Sequence, residues 1–204
     1  MSFSTYESVY VFDLFPYWVK PPSAGYFRSL EEFGDLGRTY AQSFMDHPKY
    51  KTTFKIACNG KDKIAEVNAL FDDRKGRKGA LWFPSWRENI ELFANISAVS
   101  TTINIEDIEY SSYYTTDPGT GRYIFIYVNR SEWYVRKVTG FPGAEWIDID
   151  SALGVAVTKA RCKMICFLYY GHFDNDEIEW EYISPDVAIT ELSFIESPEE
   201  YPAV

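Results

Sequence analysis

The sequence predicts a mainly β fold: an α+β N-terminal part with one helix near residues 61–74, followed by an all-β sandwich or barrel. Aromatic residues make up 18% of the 204 residues, and aromatic side chains suit half-buried pleated surfaces. After Trp86, segments of alternating polar and apolar residues recur about every ten residues, with turn signals between them. Only the segment around residues 60–75 has the period of a helix.

The predicted helix lies in the segment NGKDKIAEVNALFDDRKGRKG. Its apolar positions follow the spacing i, i+3 and i+7 of one helical face and are Ile64, Val67 and Phe71. Asn59 is a candidate N-cap, because its side chain can accept a hydrogen bond from a free backbone amide of the first turn. Lys75 and Gly76 are expected to end the helix, since glycine allows the left-handed conformation common there.

Strands are predicted on both sides of this helix. Residues 7–15 and 49–58 are candidates before it. The candidates after it are residues 88–96, 101–110, 122–141 as a hairpin that turns near residues 129–131, 144–150, 160–170, 177–183 and 187–196. Residues 197–204 are expected to form an extended tail. The change from mixed to purely β patterns places a domain boundary near residue 86, between an N-terminal domain of residues 1–86 and a C-terminal domain of residues 87–204.

The charge balance disfavours several kinds of partner. With a net charge of −10, the bulk surface repels nucleic acids and anionic membranes, so specific nucleic-acid binding is not expected. No stretch approaches the roughly 18 apolar residues of a membrane span. The first residues lack the basic and apolar regions of a signal peptide, which predicts folding in a cytoplasm. In that compartment Cys58, Cys162 and Cys166 are expected to be buried free thiols.

No catalytic motif stands out, so the sequence predicts a protein that is not an enzyme and that uses no cofactor. The two histidines, His47 and His172, have no metal-ligand spacing. Asp148 and Asp150 share a strand face at about 7 Å, a separation open to acid–base chemistry, but no acceptor pocket is evident. The acidic residues 174–177 suit either a weak calcium site or a polar hairpin tip.

The stretch DDRKGRKGALWFPSW concentrates positive charge and tryptophan. Its basic residues are Arg74, Lys75, Arg77 and Lys78, and its tryptophans are Trp82 and Trp86. A phosphate-binding loop is disfavoured because RKGRKG follows a helix rather than opening one. The tryptophans suit either an exposed patch for a sugar or base, or anchors of a core and an interface.

The order of these motifs resembles minor tail and distal tail proteins of long-tailed, siphovirus-like bacteriophages and of gene transfer agents. The first stretch, residues 60–92, has a helix ending in F-x-x-R-K-G-R, then G-A-L-W-F-P-S-W and E-N-I-E-L. The second, residues 177–202, has a charged strand, the corner Ser184-Pro185-Asp186 and a last strand with the ending Phe194-Ile195-Glu196.

This resemblance implies a structural virion protein of the tail tip, made in the cytoplasm of the bacterial host. Residues 1–86 would form a homo-oligomeric ring, a hexamer by resemblance, that joins the tail tube protein to the baseplate hub or tail fibre proteins, and genomic DNA would pass through it. In such a ring the basic turn would meet an acidic surface of the neighbouring copy. The expected assembly residues are Arg74, Lys75, Arg77, Lys78, Trp82 and Trp86.

Other functions remain open at this stage. The chain could be a baseplate hub component or another tail-tip ring. The C-terminal domain could instead bind carbohydrate, with Trp133, Trp146 and Trp180 as stacking platforms. A cell-wall hydrolase is the third alternative.

Overall fold

The computed structural model of the chain describes residues 3–19, 23–26, 29–33, 39–43, 49–113 and 123–201. The strands in these ranges are β1 (Thr5–Tyr6), β2 (Val9–Tyr10), β3 (Trp18–Val19), β4 (Ser23–Tyr26), β5 (Ser29–Phe33), β6 (Thr39–Ser43), β7 (Lys49–Asn59), β8 (Leu81–Pro84), β9 (Thr102–Asn104), β10 (Tyr123–Asn129), β11 (Glu132–Gly143), β12 (Trp146–Ile149), β13 (Met164–Phe173), β14 (Glu181–Ser184) and β15 (Val187–Glu196). The helices are α1 (Lys61–Arg74) and the short α2 (Tyr110–Tyr113), with 3-10 turns at Gly76–Lys78 and Pro198–Glu200. The predicted mainly β fold is confirmed.

Eleven strands form one antiparallel sheet. Its main order is β3-β7-β15-β13-β10-β11-β12-β9, while β4 also pairs with β7, β8 with β13, and β14 with β15. The strands β1 and β2 form a separate hairpin, and so do β5 and β6. The longest ladder joins β7 to β15 from Val187 opposite Asn59 to Ile195 opposite Lys51.

The strand β13 connects two groups of strands. Its first residues, 164–167, pair with β10, and its last residues, 171–173, pair with β15. In between, residues 168–171 pair with β8. Because β8 precedes residue 86 and β13 follows it, the sheet does not break at the predicted domain boundary. The buried residues on both sides of residue 86 also belong to one hydrophobic core.

Phe194 on β15 is the centre of the aromatic core on one face of the sheet. Its ring lies 5.0 Å from Phe12, 5.2 Å from Phe54, 5.1 Å from Phe83 and 5.0 Å from Phe173. These four rings come from the N-terminal segment, β7, β8 and β13. Ring pairs at such distances stabilise a core beyond the area that they bury.

The opposite face is packed by Trp82. Its ring lies 4.7 Å from Tyr123, 4.9 Å from Tyr170 and 5.8 Å from Tyr201, and its indole N–H donates to the Tyr6 carbonyl at 3.2 Å. Both faces of the central strands are therefore covered.

The helix α1 matches the predicted residues 61–74, but its N-cap is not Asn59. Gly60 occupies the cap with a φ of 99°, and no side chain bonds the first turn. The backbone N–H of Gly60 instead donates to the carbonyl of Asp186 at 2.6 Å, which ties the helix start to the turn before β15. The predicted C-terminus is confirmed, since Lys75 has the left-handed conformation with a φ of 54°.

Most predicted strands are present, although those predicted over residues 101–110 and 177–183 are shorter, at Thr102–Asn104 and Glu181–Ser184. Residues 7–15 do not form one strand, because Glu7 and Ser8 make a turn with positive φ between β1 and β2. Residues 88–96 form no ladder, since Ile90, Leu92 and Ile96 each make a single bridge to a different segment. The tail is also not extended over Pro198–Glu200, which form a 3-10 turn.

The tail is fixed by a buried carboxylate. Glu196 is 1% exposed, and it accepts hydrogen bonds from the Tyr50 backbone N–H and the Tyr201 hydroxyl, both at 2.9 Å. The Tyr170 backbone N–H donates to the same hydroxyl at 3.3 Å. Burial raises the pKa of Tyr201 well above its ordinary value, so this hydroxyl keeps its proton at neutral pH.

Replacing Gly171 by alanine is expected to destabilise the fold by about 3 kcal/mol, the upper end of the usual cost of overpacking. A Cβ at Gly171 would lie 2.0 Å from the backbone oxygen of Ile195, which is held by the neighbouring strand and cannot move away cheaply. Gly143→Ala is the matched control, because the nearest atom to its added Cβ is Trp146 Cδ1 at 3.4 Å. Urea denaturation of both variants measures the difference, and equal stabilities would contradict the observed approach of β13 and β15.

Candidate functional site

The basic turn after α1 has a fixed backbone. The N–H of Gly79 donates to the carbonyl of Arg74 at 2.7 Å, and Gly76 has a φ of 59° that favours glycine. A Cβ on Gly79 would lie only 2.7 Å from the same Arg74 oxygen. The two glycines thus allow a tight reversal that places the basic side chains around it.

Arg77 contacts an acidic turn of its own chain, almost a hundred residues away in the sequence. One of its nitrogens donates to the backbone carbonyl of Asp174 at 2.7 Å, and its Nε lies 3.4 Å from Asp176 Oδ1. Asp174 also forms an ion pair with Lys51 on β7. The acidic turn is therefore a docking point for cations of the same chain.

Arg74 is also engaged within the chain. Its guanidinium lies 4.9 Å from the Tyr10 ring centroid, donates to the carbonyl of Ala80 at 3.3 Å and pairs with Asp73. Lys75 and Lys78 differ from both arginines. Their side chains are exposed and have no hydrogen-bond or ion-pair partner within the part of the chain that the structure describes. They are the basic-turn residues that remain available to another molecule.

The two tryptophans are not surface anchors, which corrects the prediction that they contribute to an assembly interface. Trp82 is 0% exposed and Trp86 is 5% exposed. The Trp86 ring lies against Phe15, Phe125 and Tyr127 at 5.2, 5.4 and 5.6 Å. Side chains buried in this way stabilise the chain itself and present no area to a neighbouring copy.

The carboxylates considered for catalysis have structural partners. Asp148 accepts a hydrogen bond from the Thr102 hydroxyl at 2.6 Å, and Asp150 accepts one from the Lys137 backbone N–H at 3.0 Å. Both contacts hold neighbouring strands together. Within the described ranges, no group of three or more His, Cys, Asp or Glu residues is placed to hold a metal ion.

Among the described residues, the histidine and cysteine side chains do not belong to a catalytic or metal-binding cluster. His172 lies on β13, and its Nε2 is 2.7 Å from Glu200 Oε2. His47 lies outside the described residues. Cys58, Cys162 and Cys166 are free, and burial raises the pKa of Cys162 to about 11 and that of Cys166 to about 12, which disfavours the reactive thiolate.

The three tryptophans proposed for sugar stacking do not share one surface. Trp146 is 41% exposed on β12, whereas Trp180 precedes β14 and donates its indole N–H to Asn68 of α1 at 2.9 Å. In the sheet order, β13, β10 and β11 lie between β15, which carries β14, and β12. Trp180 lines a groove of about 530 Å³ beside β15, and Trp133 lines another groove, of about 780 Å³.

This groove was not found from the sequence. It has a volume of about 780 Å³, and we name it the Asp13 groove after one of the two carboxylates that line it. Its principal lining residues are Asp13, Asn59, Lys63, Glu66, Arg130 and Trp133. They come from the N-terminal segment, the end of β7 with the start of α1, and the β10–β11 hairpin. Because these segments are far apart in the sequence, no local motif could have indicated the groove.

The electrostatics of the groove centre on Asp13. Burial raises the pKa of its carboxyl group, while hydrogen bonds from its own backbone and from Trp133 act in the opposite direction. Lys63 and Glu66 form an ion pair one helical turn apart. Arg130 is exposed and has no hydrogen-bond or ion-pair partner among the described residues.

Trp82→Ala is expected to destabilise the protein by about 3–5 kcal/mol, because it leaves a cavity between Tyr123, Tyr170 and Tyr201. Trp146→Ala, the exposed control, is expected to cost less than about 1 kcal/mol. Chemical denaturation of the two variants separates a core tryptophan from a surface one. A Trp82→Ala variant as stable as the wild type would restore this residue as an interface candidate.

Asp13→Asn is expected to increase stability at neutral pH relative to acid pH. The pKa of this carboxyl is raised above its ordinary value of 3.8, so the folded chain binds more protons than the unfolded chain between the two values. The carboxyl's contribution to stability therefore falls as pH rises through that interval. Urea denaturation of wild type and variant across the acid range measures this. A stability difference that does not change with pH would contradict the raised pKa.

The described ranges contain no helix with the length and apolar character needed to cross a membrane. The sequence matches no protein-family model and no curated protein.

Proposed function

We propose that the chain is a structural, non-enzymatic component of a bacteriophage tail tip. It would form part of a homo-oligomeric ring in the virion, between the tail tube protein and the baseplate hub or receptor-binding apparatus. The observation that carries this proposal is the packing of the two stretches that bear the resemblance.

The described parts of these stretches, residues 60–92 and 177–201, meet in space at several points. The Gly60 N–H bonds the Asp186 carbonyl, Trp180 bonds Asn68, and the Phe83 ring stacks on Phe194. Helix α1, the aromatic strand β8 and the last strand β15 thus belong to one packed unit. Each of the two motifs alone is weak support for the resemblance. Because both belong to the same packed unit, together they support it better.

The surface also offers features that suit assembly. Tyr182 and Ile183 are 61% and 63% exposed on β14, which pairs with β15 and with no other described strand. An exposed apolar edge strand is a template for pairing with another chain.

The charges fit a ring through which DNA passes. A net charge of −10 repels DNA, so a passage lined by this protein would not retain it. Lys75 and Lys78 would then meet an acidic surface of the neighbouring copy. Matching opposite charges fixes the register of subunits and disfavours wrong partners.

Reversing the two lysines, Lys75→Glu with Lys78→Glu, is expected to leave the monomer folded and to prevent ring formation. Exposed lysines contribute little to stability, whereas like charges brought together at an interface are costly. Sedimentation velocity of wild type and variant at about 100 µM, together with negative-stain imaging, measures the assembly state.

The matched control is Lys61→Glu with Lys163→Glu, which changes the net charge equally at two exposed positions. Lys61 lies one helix length from the basic turn, and Lys163 lies at the opposite end of β13 from the acidic turn. A ring formed by the double variant of the turn would contradict the role of Lys75 and Lys78. A wild-type chain that stays monomeric alone and with tail tube protein would contradict the ring itself.

A further inference from the structure

We propose that the Asp13 groove binds a small saccharide. The groove unites acceptor and donor side chains from three distant segments of the chain around the side chain of Trp133. This site goes beyond the proposed tail function, because it concerns a small ligand bound by each copy of the chain.

The dimensions of the groove suit a small ligand. Its volume of about 780 Å³ lies within the range of about 300–1,000 Å³ typical of ligand pockets. A second cavity of about 120 Å³ shares Leu14, Asn59, Lys63 and Arg130 with it and extends the same depression toward Cys58. The groove is open to solvent, as a ligand that arrives from outside requires.

The polar groups of the groove suit a ligand with several hydroxyl groups better than a ligand that carries a single charge. The carboxylates of Asp13 and Glu66 accept hydrogen bonds, Arg130 and Lys63 donate them, and the amide of Asn59 does both. A sugar hydroxyl is likewise both donor and acceptor. The two carboxylates and two cations balance formally, so the groove neither attracts nor repels a neutral ligand strongly.

Trp133 gives the groove an apolar wall. The side chain is half-buried, and its ring packs 5.2 Å from Phe125, which holds it in place. Its indole N–H is directed to Asp13. An aromatic ring with one polar end suits a ligand that is apolar on its C–H face and polar at its rim.

The position of Asp13 in the groove is unfavourable for a charged carboxylate. Its burial disfavours the ionised form, and carboxyl groups with such perturbed pKa values cluster at functional sites. Arg130, in contrast, is exposed and has no hydrogen-bond or ion-pair partner in the described chain, so its guanidinium is available to a ligand.

Saturation-transfer NMR and titration calorimetry of the isolated chain test the proposal. The probes are glucose, N-acetylglucosamine, maltose and glucuronate, each at up to about 10 mM, and glycine represents a zwitterion without sugar hydroxyls. At least one saccharide is expected to bind, and Arg130→Ala and Glu66→Gln are each expected to weaken it about tenfold, the effect of one lost charged hydrogen bond. Trp146→Ala, on a different part of the sheet, is the control and is expected to bind as the wild type does.

Thermal denaturation checks that each variant is folded, and Arg130→Gln replaces Arg130→Ala if the latter is not. The proposal is overturned if no saccharide binds the wild type, if glycine binds in its place, or if the groove variants bind as tightly as the wild type. Because the isolated chain is used, failure here leaves the ring experiment unaffected, and failure of ring formation leaves this result unaffected.

Discussion

The packing of Phe194 is the constraint on which the rest of the structure depends. Its ring contacts Phe12, Phe54, Phe83 and Phe173, so one side chain joins the N-terminal segment to three strands of the sheet. Two residues later, the buried carboxylate of Glu196 accepts hydrogen bonds from Tyr50 of β7 and from Tyr201 of the tail. The F-x-E ending of β15, with Phe194 in the core and Glu196 bound to the tail, thus closes the core and fixes the tail.

Most residues of the motifs that suggest tail proteins have a role within the chain. Trp82 packs in the core, and Arg77 contacts the acidic turn. The Asp186 carbonyl accepts a hydrogen bond from the N–H of Gly60, the residue before α1. These motifs therefore describe how the unit folds rather than how copies of it associate. An assembly surface of the kind proposed would use residues that folding leaves unengaged, such as Lys75, Lys78, Tyr182 and Ile183.

The sequence predicts the features that depend on local patterns and misses those that depend on distant contacts. The period of Ile64, Val67 and Phe71 gives α1, and the alternation in residues 187–196 gives β15. Residues 88–96 alternate as well, but their neighbours in space offer single bridges instead of a ladder. The docking of Arg77 on Asp174 and the assembly of the Asp13 groove join residues far apart in the chain, and no spacing rule reveals such pairs.

The four cations of the basic turn serve different purposes for a physical reason. A guanidinium has several donors in a fixed plane, so Arg74 and Arg77 each satisfy a backbone carbonyl and a carboxylate at once. An ammonium on a flexible stem loses more by being fixed on the surface and remains hydrated. The arginines therefore hold the turn in place, and the held turn presents Lys75 and Lys78 at a defined position. A neighbour that reads these two charges would depend on the arginines indirectly, through the shape of the turn.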